Sequence, residues 1–382
     1  MMKNLNILIT RFPFESQLGG EELHTLHLAE GLIGRGHSVS LLTSCPVLEK
    51  LFEEKLPDVN IKHIEACKPP VSAWSLISFT LFSPFCFLYL NFFLIKFWLK
   101  NRGQNNVLYS LSLNEKLLMS PVAALLGFNV VWVEHARIGN WLTQNPWIVF
   151  YWLWSRFTKV ITPSAGTAAP IKWVKNLNVI CHGVKLGDSK SLKKKSTTEF
   201  NILCIARLSA DKGVDYLIKA FKKLIDHNPD VCISLSIAGN GPEEANLKAL
   251  TNQLLPDNQS TNQVQFLGKI PHAEVIKEYE KANVLVLPST EHDPFGLTIV
   301  EGMIMGCAVV CTSVCGASEF LESGVEAIVT PEKDENALYS ALNALLTNQA
   351  FLTEIAGNGH ECATKKFSHE RMVEDYERVF GS

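Results

Sequence analysis

Two carboxylates with seven residues between them, Asp293 and Glu301, are the first candidates for chemistry in this sequence. A carboxylate accepts two hydrogen bonds side by side, as the vicinal hydroxyls of a sugar or ribose require. The amides of Gly296 and Leu297 lie near the start of a predicted helix, residues 297–305, where free N–H groups attract phosphate. Together these groups favour a nucleotide-sugar site. The alternative is that Asp293 caps the helix and Glu301 is an exposed helical acid.

The elements around these groups follow a strand, loop, helix, strand order. Residues 284–287 are an apolar run rich in Val and Leu, typical of a strand buried on both faces of a parallel sheet. Asp293, Pro294, Phe295 and Gly296 form a turn signal, and residues 307–311 predict the next strand. Ligands of open α/β sheets bind where such loops leave the carboxyl ends of the strands.

Two cations stand in a similar loop earlier in the chain. Arg207 and Lys212 lie between a predicted strand over residues 201–206 and a predicted helix over residues 214–226. Both side chains can converge there on a diphosphate. Two solvated loop charges are the alternative.

The first half of the chain also begins with a strand, a glycine turn and a helix. Residues 6–10 predict the strand, Gly19 and Gly20 end the loop, and residues 21–33 predict the helix. Glycine lets a backbone approach a phosphate closely, although this pattern alone favours a tight turn without a ligand. Farther on, His135 follows a predicted strand over residues 129–133. A histidine at a strand mouth can contact a sugar or move a proton, or merely bond a loop.

The run PSTEHDPFGLTIVEGMIMGCAVVCTSVCGASE resembles the E-x7-E signature of the family 4 glycosyltransferases. This chain has Asp293 for the first Glu, Gly302 for Ala, Ala308 for Pro, and Cys315-Gly316 for Gly-Gly. The opening FPFESQLGGEELHTLHLAEGLIGRGHSVSLLTS, the stretch ARLSADKG and the turn GNGP resemble further elements of the same family. The resemblance covers nearly the whole chain and is looser over residues 47–127.

The resemblance implies an α/β chain of GT-B fold, with two Rossmann-like doubly wound domains facing a central cleft. Residues 1–184 would bind the acceptor, residues 185–199 would be a linker, residues 200–366 would bind the donor, and residues 367–382 would cross back to the first domain. Relatives transfer a hexose from a nucleotide-sugar with retention of configuration and without a metal. The implied substrate is a UDP- or GDP-sugar, with no cofactor and no metal site.

The resemblance also implies roles for single residues. Arg207 and Lys212 would neutralise the donor diphosphate, Glu301 would hold the ribose, and Asp293 and His135 would hold the sugar. The implied catalytic residues are His135, Arg207, Lys212 and Asp293. The implied donor-binding residues are Gly19, Gly20, Arg207, Lys212, Gly241, Lys269, Ile270, Asp293, Phe295, Gly296, Leu297 and Glu301.

Residues 71–95 are the most apolar part of the chain and carry no charge. They are long enough to span a bilayer, but strands predicted before and after them must join one sheet. Pro84 also favours a break. The sequence therefore predicts a pair of helices at a membrane interface, supported by the aromatic run over residues 141–154. A helix buried against the first sheet is the alternative.

Composition narrows the function classes. The 382 residues suit about two domains, and a net charge of −3 argues against a nucleic-acid partner. Ten scattered cysteines and no evident signal peptide predict a reducing cytoplasmic compartment, so that the sequon at Asn258 is incidental. Cys307, Cys311 and Cys315 are interpreted as small apolar residues, not as a metal cluster.

The sequence raises three other functions. A nicotinamide dehydrogenase needs a G-x-G-x-x-G turn followed by an acid after the next strand, and the sequence lacks that combination. A nucleotide-sugar epimerase and a non-catalytic, membrane-associated nucleotide-binding protein stay open. The expected acceptor is a glycan or a lipid-linked glycan of cell-envelope or surface polysaccharide synthesis, reached from the cytoplasmic side of the membrane.

Overall fold

The computed structural model describes residues 4–13, 19–70, 72–139, 142, 144–185, 199–256 and 263–382. Val71, Trp141, most of the predicted linker and Asn258 lie outside the described residues. The chain divides into two compact units, residues 1–183 together with 369–382, and residues 184–368. Each unit contains one parallel sheet with helices, which confirms the α/β fold class predicted from the sequence.

In the first unit, seven described strands form a parallel sheet of order β3-β2-β1-β4-β5-β6-β7. The strands are β1 (Leu5–Arg11), β2 (Ser38–Thr43), β3 (Asn60–His63), β4 (Asn105–Ser110), β5 (Asn129–Val133), β6 (Lys159–Thr162) and β7 (Leu177–Val179). The helices are α1 (Gly20–Gly34), α2 (Pro46–Lys55), α3 (Ala73–Lys100), α4 (Leu113–Leu118), α5 (Ser120–Leu125), α6 (Ile148–Trp154) and α7 (Ala165–Ala168). The order of the strands reverses between β1 and β4, and such a reversal opens a crevice at the carboxyl ends of the two strands.

Helix α3 corrects one prediction. It is one continuous helix of 28 residues with Pro84 inside it, not a pair of helices. Proline lacks the N–H that would bond the carbonyl of Thr80, four residues earlier. The Ser83 hydroxyl donates to that carbonyl instead, at 3.1 Å, so the helix continues through the proline. Because β3 and β4 lie in one sheet, both ends of α3 belong to the same unit, as predicted.

In the second unit, six described strands form a parallel sheet of order β10-β9-β8-β11-β12-β13. The strands are β8 (Phe200–Ile205), β9 (Ile233–Ala238), β10 (Gln263–Gly268), β11 (Val284–Leu287), β12 (Ala308–Thr312) and β13 (Ile328–Thr330). The helices are α8 (Val214–His227), α9 (Glu244–Leu254), α10 (His272–Lys281), α11 (Leu297–Ile304), α12 (Glu335–Thr347) and α13 (Gln349–Lys366). Here the order reverses between β8 and β11.

The last helix, α14 (His369–Gly381), belongs to the first unit and packs against α1. Its apolar face includes Met372, Tyr376 and Phe380, which are almost fully buried in the core beneath β1 and β4. After the last strand and the last two helices of the second unit, the chain returns to the first unit as α14. The first unit therefore takes its core from both ends of the chain.

Candidate functional site

The loops after β8 and β11 meet at the reversal point of the second sheet. Thr290, after β11, donates its amide to the carbonyl of Asp211 at 2.8 Å and its hydroxyl to the carbonyl of Ala210 at 3.0 Å. The loop after β8 contains a short 3-10 turn over Ala210–Lys212. The loop after β8 contains Arg207 and Lys212 and is called the cationic loop; the loop after β11 contains Asp293 and is called the acidic loop. These bonds join the two loops into one surface at the position where open α/β sheets bind ligands.

Lys212 and Asp293 are in direct contact at this surface. The Lys212 Nζ lies 2.6 Å from the Asp293 Oδ2, and both side chains are largely buried, with 17% and 11% exposure. The other carboxylate oxygen of Asp293 accepts the amide of Phe295, at 3.2 Å. Asp293 thus orders its own loop, while the residue at the start of α11 is Gly296, with a left-handed φ of +83°.

Arg207 is placed differently from Lys212. Its side chain is 68% exposed, and its guanidinium lies 3.6 Å from Asp211. Burial alone would raise the pKa of Asp211, but a hydrogen bond from Ser209 and the charges of Lys212 and Arg207 outweigh burial and lower it. Asp211 is therefore a fixed anion between the two cations. Asp211 was not among the predicted site residues, although its position one residue before Lys212 is a signal that could have identified it.

Two glycines let these loops approach each other. Gly213 has a φ of +62°, and a Cβ added there would lie 2.2 Å from the backbone oxygen of Pro288. Gly241 approaches the cationic loop from the β9 side, and a Cβ there would lie 2.2 Å from the oxygen of Leu208. Contacts this short are not tolerated, so glycine is required at both positions.

The ribose candidate, Glu301, lies on α11. One of its carboxylate oxygens accepts the hydroxyl of Tyr279 at 2.8 Å, which orients the acid. Burial raises the pKa of Tyr279 well above its usual value, so its hydroxyl stays protonated as a donor.

Of the other predicted donor contacts in this unit, Phe295 is the one that the structure changes. Its side chain is buried in the core against Phe320 and Phe367. A ligand can therefore reach only its backbone. Lys269 and Ile270 follow the carboxyl end of β10, where the carbonyl of Gly268 accepts the amide of Gly239 at 2.8 Å.

The loop with Cys315 and Gly316 supports the acidic loop. The amide of Gly316 donates to the carbonyl of Asp293 at 2.9 Å, and the amide of Asp293 donates to the carbonyl of Val314 at 3.1 Å. Cys315 itself is a buried free thiol, and burial raises its pKa to about 11. Cys307 and Cys311 are also buried free thiols, in keeping with their interpretation as small apolar residues.

In the first unit, a cavity of about 290 Å³, lined by apolar and charged side chains, lies at the carboxyl ends of β1, β4 and β5. It is lined by Arg11, Pro13, Glu21, Pro69, Leu111, Ser112, Leu113, Lys116, Glu134, His135, Ala136, Arg137, Ile138, Leu142 and Tyr151. This is the reversal point of the first sheet. Among the polar lining residues, only His135 was predicted from the sequence; Arg11, Ser112 and Lys116 come from other strand ends, whereas Glu134 and Arg137 follow the same strand as His135.

Ion pairs fix the walls of this cavity. The Arg11 guanidinium lies 2.8 Å from Glu21 and 3.0 Å from Glu22, which ties β1 to the start of α1. The buried Lys116 bonds Glu134 at 2.7 Å, and the Tyr151 hydroxyl donates to the same carboxylate oxygen at 2.8 Å. The cavity thus presents fixed charges of both signs, a lining suited to a molecule rich in hydroxyls.

The predicted glycine turn borders the same region. Gly19 starts α1 with an extended backbone, and its amide donates to the Glu22 carboxylate at 3.1 Å. Gly20 is the first residue of α1. The residues immediately before them, 14–18, lie outside the described part of the chain.

His135 carries two ring nitrogens that lack a hydrogen-bond partner among the described residues. Burial lowers the pKa of His135 well below its usual value, and the neighbouring His182, Arg11 and Lys116 lower it further. The imidazole is therefore neutral at physiological pH, and it can donate one hydrogen bond to a substrate and accept another.

The structure brings the predicted residues together in two groups. Arg207, Lys212, Asp293, Gly296 and Glu301 belong to the loops and helix at the reversal point of the second sheet. Gly19, Gly20 and His135 belong to the first unit.

Comparison with known proteins identifies the family. A model described as Glycosyltransferase Family 4 matches residues 18–187, and one described as Glycosyl transferases group 1 matches residues 188–361. An uncharacterised glycosyltransferase of Methanocaldococcus jannaschii is 31% identical over 47% of this chain and 44% of its own length. The chain thus spans less than half of that relative. Glycogen synthase of Mycobacterium tuberculosis is 23% identical over 95% of this chain and 91% of its own.

Solved structures share the fold. HepE of Anabaena, crystallised in complex with UDP, has a TM-score of 0.74 at 18% identity, covering 98% of this chain and 99% of that one. Two consecutive family models, a pair of parallel-sheet units and a full-length structural likeness agree, and this chain belongs to the family 4 glycosyltransferases, with the GT-B fold.

Proposed function

We propose that this protein is a retaining glycosyltransferase that moves a hexose from a UDP- or GDP-sugar to a glycan or lipid-linked acceptor. Its role would lie in cell-envelope or surface polysaccharide or glycolipid synthesis. The observation that carries the proposal is the joined pair of loops at the reversal point of the second sheet. There a largely buried cation, Lys212, lies against the buried acid Asp293. The HepE structures with UDP and UDP-glucose support the choice of donor class by analogy.

The proposed mechanism is electrostatic. In the second unit, Arg207, Lys212 and the amides of Gly296 and Leu297 stabilise the departing diphosphate. Glu301 binds the ribose hydroxyls with the help of Tyr279, and Asp293 accepts a hydroxyl of the hexose. The bond between the sugar C1 and the phosphate oxygen breaks while the acceptor oxygen bonds C1 from the same face. The acceptor proton passes to the departing phosphate oxygen, and no metal is required.

His135 contributes from the first unit. Its neutral ring is able to accept or donate one hydrogen bond to a substrate hydroxyl. The surrounding charges, held by Arg11, Lys116 and their carboxylate partners, would orient an acceptor rich in hydroxyls. We therefore assign the acceptor to the 290 Å³ cavity.

The first experiment is a thermal-shift screen of UDP, GDP and their sugars. A ligand at 100 times its Kd stabilises the folded protein by about 2.7 kcal/mol. Hits are then incubated with and without acceptor, in EDTA, and the anomeric configuration of the product is read by NMR. If no nucleotide raises the melting temperature, the assignment is wrong. If epimerised donor forms in the absence of acceptor, the protein is a nucleotide-sugar epimerase. If a nucleotide binds but no donor is turned over, the protein is a non-catalytic nucleotide-binding protein.

A lipid-linked acceptor is favoured by the surface of α3. This helix is long and apolar enough to cross a membrane by length and composition, yet only 22% of its most apolar stretch is buried. Its exposed apolar residues are Trp74, Ile77, Leu81, Phe82, Phe85, Leu88, Tyr89, Phe92, Ile95 and Leu99. Both ends of α3 connect to strands of one sheet, so the helix would lie along an interface and not cross it.

The same surface extends onto α6 and carries positive charge. Trp147 packs edge-on against Phe79, and its indole donates to Thr80 of α3 at 3.2 Å. Arg156 lies over the Trp152 ring, 3.6 Å from its centroid, and Arg102 lies over Trp98. Aromatic residues and cations in this arrangement suit the headgroup region of an anionic bilayer.

Vesicle flotation tests the membrane proposal. Phe85 and Leu88 are 72% and 70% exposed, so the double variant Phe85→Asp/Leu88→Asp should keep its fold and lose binding to vesicles containing phosphatidylglycerol. The matched control is Ile276→Asp, an exposed apolar position on α10 of the second unit. Equal flotation of both variants would remove the membrane proposal but leave the transferase proposal intact.

A further inference from the structure

Three histidines that are distant in the sequence meet in the first unit. His24 lies on α1, His135 follows β5 and His182 follows β7. One ring nitrogen from each lies within 4.8 Å of the other two. The ring centroids are 4.9 Å apart for His24 and His135, 4.3 Å for His24 and His182, and 5.5 Å for His135 and His182.

Polar atoms in this cluster lack partners. Among the described residues, neither ring nitrogen of His135 nor the Nδ1 of His24 has a hydrogen bond, although all three atoms are buried. Buried polar atoms in folded proteins are nearly always bonded, so unbonded ones close together indicate a ligand. A sugar bound to His135 would supply a partner for the ring nitrogens of that residue. The proposed reaction gives His24 no role, so its Nδ1 would still lack a partner.

The second nitrogen of His24 has the partner that a metal ligand needs. Its Nε2 lies 3.1 Å from the hydroxyl of Tyr376 on α14. A histidine that binds a metal usually bonds its other nitrogen to a nearby group, which fixes the tautomer and the ring orientation. When Nε2–H donates to Tyr376, the lone pair of His24 is on Nδ1, the buried nitrogen that has no hydrogen-bond partner among the described residues.

We propose that His24, His135 and His182 bind one divalent transition-metal ion of the zinc class, and that this ion inhibits the enzyme. Three imidazoles leave a fourth tetrahedral position for water. Zn–N bonds of about 2.0–2.1 Å place ligand nitrogens roughly 3.4 Å apart. The three nitrogens lie within 4.8 Å of one another, so they must approach by up to about 1.4 Å to bind one ion, and rotation of the side chains is the movement required.

The local charge allows a dication. Arg11, Lys116 and Arg371 are the cations that act on these rings. Each is paired with a carboxylate: Arg11 with Glu22 at 3.0 Å, Lys116 with Glu134 at 2.7 Å, and Arg371 with Asp375 at 2.7 Å. These pairs offset most of the repulsion that the three cations would exert on the ion.

Inhibition rests on the proposed function. A metal bound to His135 occupies a nitrogen that would otherwise bond a substrate hydroxyl. The ion is therefore a competitor of the substrate and not a cofactor, which is compatible with metal-independent transfer.

Cobalt titration tests the site without any activity assay. Four-coordinate Co²⁺ absorbs strongly in the visible, and we expect one equivalent to bind to the purified protein and to be displaced by Zn²⁺. His24→Gln should weaken binding by at least ~10–100-fold, the loss typical even of outer partners. Tyr376→Phe, which keeps the ring and removes the hydroxyl, should weaken binding about 10-fold.

Two control variants remove other groups of the first unit that can ligate Co²⁺. His63 is exposed and lies 2.7 Å from Glu49, and the amide of Cys67 lies 3.3 Å from the Cys86 sulfur. His63→Gln and Cys67→Ser should leave Co²⁺ binding unchanged. The proposal is overturned if Co²⁺ does not bind, if His24→Gln binds as tightly as the wild type, or if the controls abolish binding.

An activity arm separates this inference from the proposed function. Zn²⁺ should inhibit transfer by the wild-type protein and by His63→Gln, and inhibit His24→Gln only at concentrations ~10–100-fold higher. Equal inhibition of all three proteins overturns the inhibitory role. Absence of transfer with every donor defeats the proposed function, whereas the cobalt spectrum still decides the metal site.

Discussion

The contact between Lys212 and Asp293 gives the sharpest prediction for the second unit. At 2.6 Å and an effective dielectric constant of about 20, the gross attraction of the two charges is about 6 kcal/mol. Desolvation of two largely buried side chains offsets much of this. Removing only Lys212 leaves Asp293 without the cation, and we expect Lys212→Met to lower the free energy of unfolding by about 2–3 kcal/mol, somewhat below the usual loss for fully buried pairs.

A double-mutant cycle isolates the pair. Lys212→Met and Asp293→Asn each leave one charge without its partner, whereas the double variant leaves neither. The double variant should therefore be more stable than the sum of the single losses allows, by about 1–3 kcal/mol. Urea denaturation of the four proteins measures this. Lys219→Met is the matched control, since Lys219 pairs with Asp215 in a more exposed position, and its loss should stay below about 0.5 kcal/mol.

The same variants test function. Lys212→Met should lower kcat by ~10²-fold or more, on the scale of losing one preorganised donor to the developing charge. Lys219→Met should retain the wild-type rate. Additivity of the cycle within about 0.5 kcal/mol, or a wild-type kcat for Lys212→Met at saturating donor, would refute the arrangement described for this site.

Three further predictions concern other positions. Arg207→Ala should lower kcat by ~10²-fold with an unchanged melting temperature, because the side chain is 68% exposed; a large loss of stability in thermal unfolding would contradict this. Gly213→Ala should cost at least ~1–2 kcal/mol from its left-handed backbone alone, and more because the Cβ would meet Pro288; an unchanged urea midpoint would exclude the contact. Burial raises the pKa of Glu115 to about 8, so the folded state retains a proton that the unfolded state loses above about 4.5. Stability from this group is present below pH 4.5 and lost as the pH rises through 8, by up to ~5 kcal/mol. Glu115→Gln should remove that slope between pH 5 and 8, and an identical pH profile would refute the assignment.

Much of the second unit could be predicted from the sequence because its signals are local. The apolar run of β11, the turn at Gly296 and the helix α11 each depend on neighbouring residues. The meeting of the Arg207 loop with the Asp293 loop follows from strand order, since β8 and β11 are adjacent at the reversal point. The direct bond between Lys212 and Asp293 depends on side-chain packing and has no sequence signal.

The first unit was less accessible to prediction. Pro84 suggested a break in α3, but the helix continues, and the Ser83 hydroxyl donates to the carbonyl of Thr80 that the proline leaves without its amide donor. His24 and His182 carry no motif and are separated from His135 by long stretches. Their meeting depends on where α1, β5 and β7 end, which only the folded chain fixes.

The returning helix α14 has a consequence for synthesis. Unit two, residues 184–368, is synthesised before α14, and at 5–20 residues per second that takes about 10–40 s. During this interval the nascent first unit lacks Tyr376 and Phe380 from its core. The apolar surface that α14 covers would be exposed to chaperones until α14 emerges. The unit whose synthesis begins first would thus be the last to complete its core.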